Sequence, residues 1–190
     1  MVLTPSTMPG LGSSAPDFAL PADDGRVVTL EDFSSSRALL VAFICNHCPY
    51  VKHILAGFVD FATEYQPRGL AIVAINSNDA DQYPDDSPEM MKVEAQRRGF
   101  NFPYLHDETQ EVARSFRAAC TPDWFLYDDA QGLAYRGQFD GSRPGNDVPV
   151  TGMHLRHATV AVLEGAPARS EQFPSIGCNI KWKPGNEPGY

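Results

Sequence analysis

Two uninterrupted apolar runs lie on either side of a segment in which apolar residues recur every three or four positions. The runs are ALLVAFI (38–44) and LAIVAIN (70–76), and their lack of polar positions predicts strands that are buried on both faces. Between them, the apolar residues from Val51 to Tyr65 follow the helical period and predict an amphipathic helix that ends near Gly69. A strand, a helix and a strand of these lengths predict a βαβ unit with parallel strands.

Further elements on both sides of this unit predict a mixed sheet. Upstream, two short apolar runs flank residues 23–25 (DDG), which predicts a β-hairpin. Downstream, Ser87 followed by Pro88 predicts the start of a helix that ends at Gly99. The other expected elements are a capped helical turn at 29–32, a strand in PYLHD, a helix from about Asp107 to Arg117, a hairpin of DWFLYD and LAYRGQF, and a helix in VTGMHLRHATVAVLEG. The predicted fold class is α/β, with a central mixed β-sheet flanked by helices and an N-terminal β-hairpin.

The chain is expected to form one domain. Its 190 residues suffice for a substantial core, and the sequence shows neither internal repeats nor a second domain. Pro, Gly and Ser are frequent near the start, so residues 1–10 are expected to be a flexible arm and residues 11–190 the domain. Within that domain, residues 166–190 give no periodic signal and are expected to be an irregular tail.

The charge balance argues against one class of partner. The chain has 15 basic and 24 acidic residues, for a net charge of −9, and no cluster of Lys and Arg that could neutralise nucleic-acid phosphates. No apolar stretch approaches the roughly 20 residues that a membrane span requires, and the first residues do not resemble a secretory signal. The expected location is therefore cytoplasmic. There, four cysteines are not expected to form a structural disulfide framework.

The stretch CNHCP (45–49) carries the candidate chemistry. Pro49 favours the first helical position, which makes Cys48 the N-cap residue. A thiolate at that position faces unpaired N–H groups and the positive end of the helix dipole, and both favour the nucleophilic form. Cys45 lies within disulfide reach across a tight turn, so the two thiols are a candidate redox couple. His47 could polarise either thiol or be a solvated loop residue.

Several phrases along the chain resemble the thioredoxin-like superfamily and, within it, the AhpC/TSA (peroxiredoxin-like) branch. They are GSSAPDFALPADDGRVVTLEDF, LLVAF, the cysteine-bearing loop and TPDWFLYD. The phrases CNHCPYVK, CTPD, SRPGNDVPVTG and GCNIKWKPGN resemble more closely a bacterial subgroup of peroxiredoxin-like thioredoxin-family proteins. The resemblance covers about residues 11–188 and implies a thioredoxin-like fold.

The resemblance also assigns roles to residues of this chain. Cys48 lies five residues after Phe43, which is where thioredoxins have their nucleophilic cysteine. Pro122, preceded by Thr121, would be a cis-proline that faces the nucleophile. That arrangement would bring Cys120 near the site.

The sequence departs from these families at three places. Val51 replaces the second cysteine of the thioredoxin motif, so the partner of the nucleophile would be the upstream Cys45. Ala42 stands where thioredoxins have a buried aspartate that assists proton transfer. Peroxiredoxins have a proline seven residues and a threonine three residues before their cysteine, where this chain has Val41 and Cys45. The last of these departures argues against a standard peroxidase pocket.

The sequence thus predicts a thiol–disulfide oxidoreductase. Cys48 would attack a protein or small-molecule disulfide, or less efficiently a peroxide, and a second thiol would resolve the intermediate. Cys45 is the first choice for that thiol and Cys178 is its rival, whereas Cys120 is either accessory or simply packed beside Pro122. An unidentified reductant would complete the cycle. No cofactor or metal is expected, and the oligomeric state stays open, a homodimer included.

Two interpretations of other classes also stay open. The first is a soft metal site for Zn²⁺ or Cu(I). Its ligands would be Cys45, Cys48 and either His47 or His53, with Cys120 or Cys178. The second is a non-catalytic interaction module with a thioredoxin fold, which would use DWFLY and the tail as its surface.

Overall fold

A five-stranded mixed sheet forms the centre of the computed structural model, which describes residues 3–168 and 171–190. Residues 1–2 of the expected arm and 169–170 of the expected tail lie outside this description. The strands found in the described residues are β1 (Leu3–Pro5), β2 (Ala19–Pro21), β3 (Val27–Thr29), β4 (Ala38–Phe43), β5 (Leu70–Asn76), β6 (Tyr104–His106), β7 (Cys120–Thr121), β8 (Asp123–Tyr127), β9 (Leu133–Gly137) and β10 (Ile176–Asn179).

Helices connect and cover these strands. The α-helices are α1 (Pro49–Tyr65), α2 (Pro88–Arg98), α3 (Glu111–Ser115) and α4 (Met153–Leu163), and short 3₁₀ helices occur at Leu30–Phe33, Gln66–Arg68 and Pro84–Asp86. Across the two described ranges, no helix is both long and apolar enough to cross a membrane.

The central sheet has the strand order β6-β5-β4-β8-β9. The pairs β4–β5 and β5–β6 are parallel, whereas β4–β8 and β8–β9 are antiparallel. The strands β2 and β3 form the expected antiparallel hairpin. The structure therefore confirms the mixed sheet, the βαβ unit and the N-terminal hairpin.

Alternate side chains of β4 point into two separate cores, because successive residues of a strand face opposite sides of the sheet. Leu40 and Ala42 belong to the core that includes α1, α2 and α4. Leu39, Val41 and Phe43 belong to the core beneath the β2–β3 hairpin and α3. Every residue of β4 is buried, which explains its unbroken apolar sequence.

Two helix boundaries follow the predicted capping signals, whereas α3 is shorter than expected. Cys48 is the N-cap of α1, and the Ser87 hydroxyl accepts a hydrogen bond from an amide of the first turn of α2. The helix expected from Asp107 to Arg117 is limited to five residues. Gln110 and Arg117 adopt positive φ angles of 64° and 54°, which end the helical conformation on both sides.

Both ends of the chain differ from the sequence-based expectation. The segment 1–10, predicted as a flexible arm, contains β1, and the segment 166–190, predicted as an irregular tail, contains β10. These two strands pair antiparallel, and β10 pairs on its other side with β7. The resulting three-stranded sheet attaches the end of the chain beside Pro122. The boundary at residue 11 as the start of a single domain stays a prediction.

Candidate active site

Cys48 lies between the end of β4 and the first residue of α1, and its side chain is 0% exposed. Its Sγ atom is 3.2 Å from the Thr121 carbonyl oxygen and 2.9 Å from the Sγ of Cys178. The Thr121–Pro122 peptide bond is cis, as the resemblance implied. The structure therefore brings together the expected nucleophile, the peptide that precedes Pro122 and the thiol of the C-terminal strand.

The register of β10 places Cys178 at this position. Cys178 lies opposite Thr121 in the antiparallel ladder, and Asn179 lies opposite Cys120. The separation of 2.9 Å between the sulfur atoms of Cys48 and Cys178 exceeds the length of a covalent disulfide, which is about 2.05 Å. Cys178 and the other three cysteines are therefore free thiols.

Cys45 contacts the side chain of Thr121, whereas Cys48 contacts its backbone carbonyl. Its buried Sγ lies 3.3 Å from the Thr121 hydroxyl oxygen, and either atom can donate the hydrogen bond. Thr121 thus contacts two thiols, through its carbonyl on Cys48 and its hydroxyl on Cys45.

The surroundings lower the pKa of Cys48 from 9.0 to about 5. The largest cause is the hydrogen bond from Cys45, and burial opposes it. A hydrogen bond from Cys178 and the backbone N–H groups of Val51 and Cys178 lower the pKa further. The Cys48 side chain does not form a regular capping hydrogen bond with the first turn of α1. The Cys45 thiol therefore lowers the pKa of Cys48 more than the start of α1 does, whereas the sequence predicted the helix start as the cause.

The other thiols remain protonated at neutral pH. Burial is the main cause in each case, and it raises the pKa of Cys178 to about 12 and the pKa of Cys45 and Cys120 well above 9.0. The Cys120 sulfur donates to the Pro122 carbonyl oxygen at 3.6 Å. Successive strand residues point to opposite faces, so Cys120 and Thr121 face opposite sides of β7. Cys120 therefore lies next to Thr121 in β7, but its thiol contacts the Pro122 carbonyl oxygen.

His47 is held by a buried carboxylate that the sequence did not single out. The His47 Nδ1 atom is 2.5 Å from Oδ2 of Asp86, and the imidazole stacks on the ring of Tyr83 with centroids 5.2 Å apart. Asp86 is 0% exposed and also accepts hydrogen bonds from the Asn46 amide and the Asn78 side chain. Burial alone would raise the pKa of Asp86, but the hydrogen bonds from His47 and Asn78 outweigh it and lower that pKa. His47 is thus an ordered part of the site.

Two of the metal ligands suggested by the sequence, Cys45 and His47, lie in one cluster, and the third member of that cluster is Asp86, which was not among them. Donor atoms of Cys45, His47 and Asp86 all lie within 4.8 Å of one another. His53, the alternative histidine, instead contacts the Ser142 hydroxyl through Nε2 at 2.7 Å. Asp86 belongs to an acidic segment of the sequence, and only its burial in the structure distinguishes it from the neighbouring Asp85.

A buried ion pair supports the residues that follow Pro122. Asp123 and Arg136 are 2.8 Å apart, and both side chains are fully buried. The Arg136 guanidinium lies over the ring of Phe125 and also donates to the Thr7 hydroxyl and the Arg117 carbonyl oxygen. This pair joins β8, β9 and the N-terminal segment next to the thiols.

The fold and the cluster of thiols beside a cis-proline define a protein of the thioredoxin-fold class. Residues 11–139 match the model of the AhpC/TSA family, and the chain belongs to that family. Cys178 lies outside the matched residues, although it contacts Cys48.

Curated relatives match part of the chain. Peroxiredoxin Bcp of Escherichia coli (strain K12) is 30% identical over 105 residues, which cover 55% of this chain and 62% of that protein. Thiol-disulfide oxidoreductase ResA of Geobacillus thermodenitrificans (strain NG80-2) is 27% identical over 125 residues, which cover 66% of this chain and 67% of that protein. The chain thus spans less than two thirds of the length of Bcp.

Two solved structures match nearly the whole chain, and a third shares its fold. An uncharacterized conserved protein from Geobacillus kaustophilus is 55% identical with a TM-score of 0.95, over 97% of this chain and 98% of its own. A hypothetical protein, SMc02350, from Sinorhizobium meliloti 1021 is 51% identical with a TM-score of 0.95, over 96% of this chain and 100% of its own. Peroxidoxin BcpB from Mycobacterium tuberculosis, at 19% identity and a TM-score of 0.62 over 82% of this chain and 96% of its own, shares the fold.

Proposed function

We propose that this protein is a thiol–disulfide oxidoreductase in which Cys48 is the attacking thiolate and Cys178 is the resolving thiol. The observation that carries the proposal is the distance of 2.9 Å between their sulfur atoms. The pKa of about 5 for Cys48 supports it, since the thiolate is the attacking species. Relatives named as peroxiredoxin and as thiol-disulfide oxidoreductase support the reaction class.

In the first step, the Cys48 thiolate attacks one sulfur of a substrate disulfide. A bond forms between Cys48 and that sulfur, the substrate S–S bond breaks, and the second substrate sulfur leaves as a thiolate. The Cys178 thiol, which donates a hydrogen bond to Cys48 in the resting state, supplies a proton to the leaving thiolate. Cys178 thereby becomes the nucleophile of the second step.

In the second step, the Cys178 thiolate attacks the Cys48 sulfur. The Cys48–Cys178 disulfide forms, and the first substrate sulfur leaves as a thiolate and takes a proton from solvent. Two electrons have then passed to the substrate. A dithiol reductant returns the protein to its starting state by the reverse exchange, and we place this cycle in the cytoplasm, where thiols are kept reduced.

Cys45 has a supporting role in this scheme. It stays protonated and donates a hydrogen bond to the Cys48 thiolate, which is the largest cause of the lowered pKa. The sequence made Cys45 the first choice for the resolving thiol because of its spacing. The contact between Cys48 and Cys178 favours Cys178 instead.

Access to Cys48 requires a movement of β10. Cys48 and Cys178 are 0% and 1% exposed, and Cys178, which lies in the strand paired with β7, contacts the Cys48 sulfur. A substrate disulfide therefore reaches the Cys48 sulfur when β10 separates from β7. The same strand must return before Cys178 can attack.

Mapping of cysteine linkages tests the assignment. The reduced protein is treated with one equivalent of glutathione disulfide, and its peptides are analysed by mass spectrometry without reduction. We expect a Cys48–Cys178 link in the wild type and glutathione retained on Cys48 in Cys178→Ser. Cys120→Ser is the matched control and should behave as the wild type. A Cys45–Cys48 link would overturn the role of Cys178, and unmodified Cys48 would overturn the reaction itself.

A peroxide is the second candidate substrate, because several relatives are named as peroxiredoxins. The Cys48 thiolate would attack one peroxide oxygen and become a sulfenic acid, and the O–O bond would break with the second oxygen leaving as hydroxide or alkoxide. Condensation of the sulfenic acid with the Cys178 thiol would then form the disulfide and release water. Val41 and Cys45 stand where peroxiredoxins have proline and threonine. We therefore expect the second-order rate with glutathione disulfide to exceed the rate with hydrogen peroxide, and the opposite order would make peroxide the substrate.

A further inference from the structure

We propose that Cys45, His47 and Asp86 form a binding site for one Zn²⁺ ion. Their donor atoms all lie within 4.8 Å of one another. The site goes beyond the proposed redox function, which uses the sulfur atoms of Cys48 and Cys178. Cys45 forms no disulfide in that cycle. Its sulfur can therefore bind the metal, and zinc binding replaces the hydrogen bond that Cys45 donates to Cys48 in the metal-free protein.

Two segments of the chain are fixed together at this position. Cys45 and His47 lie in the loop between β4 and α1, and Asp86 is the last residue of a 3₁₀ helix. The Asn46 amide donates to Oδ1 of Asp86 at 2.7 Å, and the Asn46 side chain donates to the Asp85 carbonyl oxygen at 2.8 Å. Hydrogen bonds of this kind orient ligand side chains before a metal binds.

The donor types favour zinc over other common metals. Zn²⁺ accepts a thiolate sulfur, an imidazole nitrogen and a carboxylate oxygen at about 2.0–2.3 Å. Cu(I) prefers several soft sulfur ligands, and Mg²⁺ and Ca²⁺ prefer oxygen. Three protein ligands leave a fourth position for water. The His47 side chain is 19% exposed and borders a surface cavity of about 260 Å³, which gives the ion a route from solvent.

Charge neutrality supports a doubly charged ion here. A thiolate at Cys45, the Asp86 carboxylate and a neutral imidazole carry together two negative charges, which Zn²⁺ cancels. Without the ion, the buried carboxylate of Asp86 is compensated by hydrogen bonds, including the one to His47 at 2.5 Å. Binding breaks the S–H bond of Cys45, forms a Zn–S bond and releases the thiol proton to solvent. In the metal-bound state, Nδ1 of His47 coordinates the ion through its lone pair, and the imidazole proton lies on Nε2.

Competition for zinc against a chromophoric chelator tests the site on the reduced full-length protein. We expect one Zn²⁺ per chain in the wild type. The Cys48→Ser/Cys178→Ser double variant should still bind one Zn²⁺ per chain, because it retains all three ligands. His47→Gln and Asp86→Asn should each weaken binding more than tenfold, since even residues that only hydrogen-bond to a metal ligand typically contribute about 10–100-fold.

Two matched controls separate ligands from their neighbours. His53→Gln replaces the histidine that contacts Ser142, and Asp85→Asn replaces the carboxylate adjacent to Asp86. Both should retain the wild-type affinity. His47→Gln is the most informative of the variants that remove a ligand. The His47 side chain is partly exposed, so its replacement should disturb the fold less than replacement of the buried Cys45 or Asp86. A circular dichroism melt checks that the fold of His47→Gln is intact.

Cobalt(II) provides an independent readout of the sulfur ligand. In the Cys48→Ser/Cys178→Ser background, Co²⁺ should produce a thiolate-to-metal absorption band that disappears when Cys45→Ser is added. The proposal is overturned if the wild type binds no zinc, if His47→Gln and Asp86→Asn bind it as the wild type does, or if the double variant loses it. Failure of the Cys48–Cys178 link to form in the glutathione experiment would refute the redox assignment and leave this result unaffected.

Discussion

Gly177 lies so close to Thr121 that a Cβ atom on Gly177 would stand 2.0 Å from the Thr121 carbonyl oxygen. The opposing atoms belong to the backbone of β7, so no side-chain rotation can relieve the clash. The neighbouring residue, Cys178, lies opposite Thr121 in the ladder between β10 and β7. The absence of a side chain at Gly177 therefore sets the distance at which Cys178 meets Cys48.

Gly177→Ala should separate the two thiols. Overpacking of a close contact typically costs about 1–3 kcal/mol, which favours displacement of β10. We expect glutathione to accumulate on Cys48 and the Cys48–Cys178 disulfide to form at least about tenfold more slowly, since about 1.4 kcal/mol corresponds to a factor of ten. Alkylation of Cys48 should become faster, because its cover is loosened.

Stopped-flow mass analysis after addition of glutathione disulfide measures both effects. Gly189→Ala is the matched control in the same segment, because a Cβ atom there meets nothing within 4 Å. Wild-type rates in Gly177→Ala would show that the approach of β10 to β7 does not control resolution.

The contrast between α1 and β10 shows how far the sequence could predict this fold. The start of α1 could be derived from Cys48 and Pro49 alone, because capping depends on adjacent residues. The four residues of β10 contain Gly177 and Cys178 and lack an alternating pattern. Their partners are β1 and β7, which are distant in sequence, so the pairing depends on tertiary packing that no local pattern reveals.

The candidate site likewise has residues that the sequence could predict and residues that it could not. The nucleophile and the position of Pro122 could be assigned from short motifs and from the family resemblance. The part played by Asp86 could not, because its side chain becomes significant only when Asn46 and Asn78 enclose it. The strongest support for the thiolate, the hydrogen bond from Cys45, also depends on how the loop after β4 folds back on Thr121.

Cys45→Ala should raise the pKa of Cys48. The variant removes the largest cause of the shift from 9.0 to about 5. Because the folded-state pKa is lowered, the wild type is a thiolate at pH 7, and the variant should need a higher pH to reach the same thiolate fraction. A hydrogen bond to a charged group contributes about 1.5–3 kcal/mol, which corresponds to an upward shift of about one pH unit or more.

The pKa of Cys48 is measured from the ultraviolet absorbance of its thiolate between about pH 4 and pH 9. This range includes both lowered and unperturbed cysteine pKa values. Cys48→Ser identifies the signal, and Cys120→Ala is the matched control for the loss of a buried thiol. A midpoint in Cys45→Ala equal to that of the wild type would contradict the assigned role of Cys45.

Asp140→Asn should loosen the loop that contains SRPGNDVPVTG. One carboxylate oxygen of Asp140 accepts the amides of Thr151 and Gly152, and the other accepts the amide of Ser142. An amide side chain keeps only one acceptor oxygen, so at least one buried N–H loses its partner at a cost of about 1–3 kcal/mol. Urea unfolding measures the loss, and exposed Asp147→Asn is the control that should unfold as the wild type does. Equal stability of the two variants would show that the carboxylate does not organise this loop.

Arg136→Met should destabilise the protein in a manner that depends on pH. The substitution leaves the buried Asp123 carboxylate without its ion partner, which typically costs about 3–5 kcal/mol in the free energy of unfolding. Burial already raises the pKa of Asp123, and Arg136 opposes that effect. Without Arg136 the folded state binds the proton more tightly than the unfolded state does, so the variant should regain stability as the pH falls towards the folded-state pKa.

Urea unfolding of Arg136→Met at several pH values between 7 and about 5, above the unperturbed pKa of Asp, tests this sign. The Asp123→Asn/Arg136→Met double variant removes both charges, so its stability relative to the wild type should vary less with pH and exceed that of Arg136→Met at pH 7. A loss in Arg136→Met that is the same at every pH would show that Asp123 is not the group left uncompensated. Because Asp123 follows Pro122 and accepts the amide of Ala119, the same variant should also slow formation of the Cys48–Cys178 disulfide.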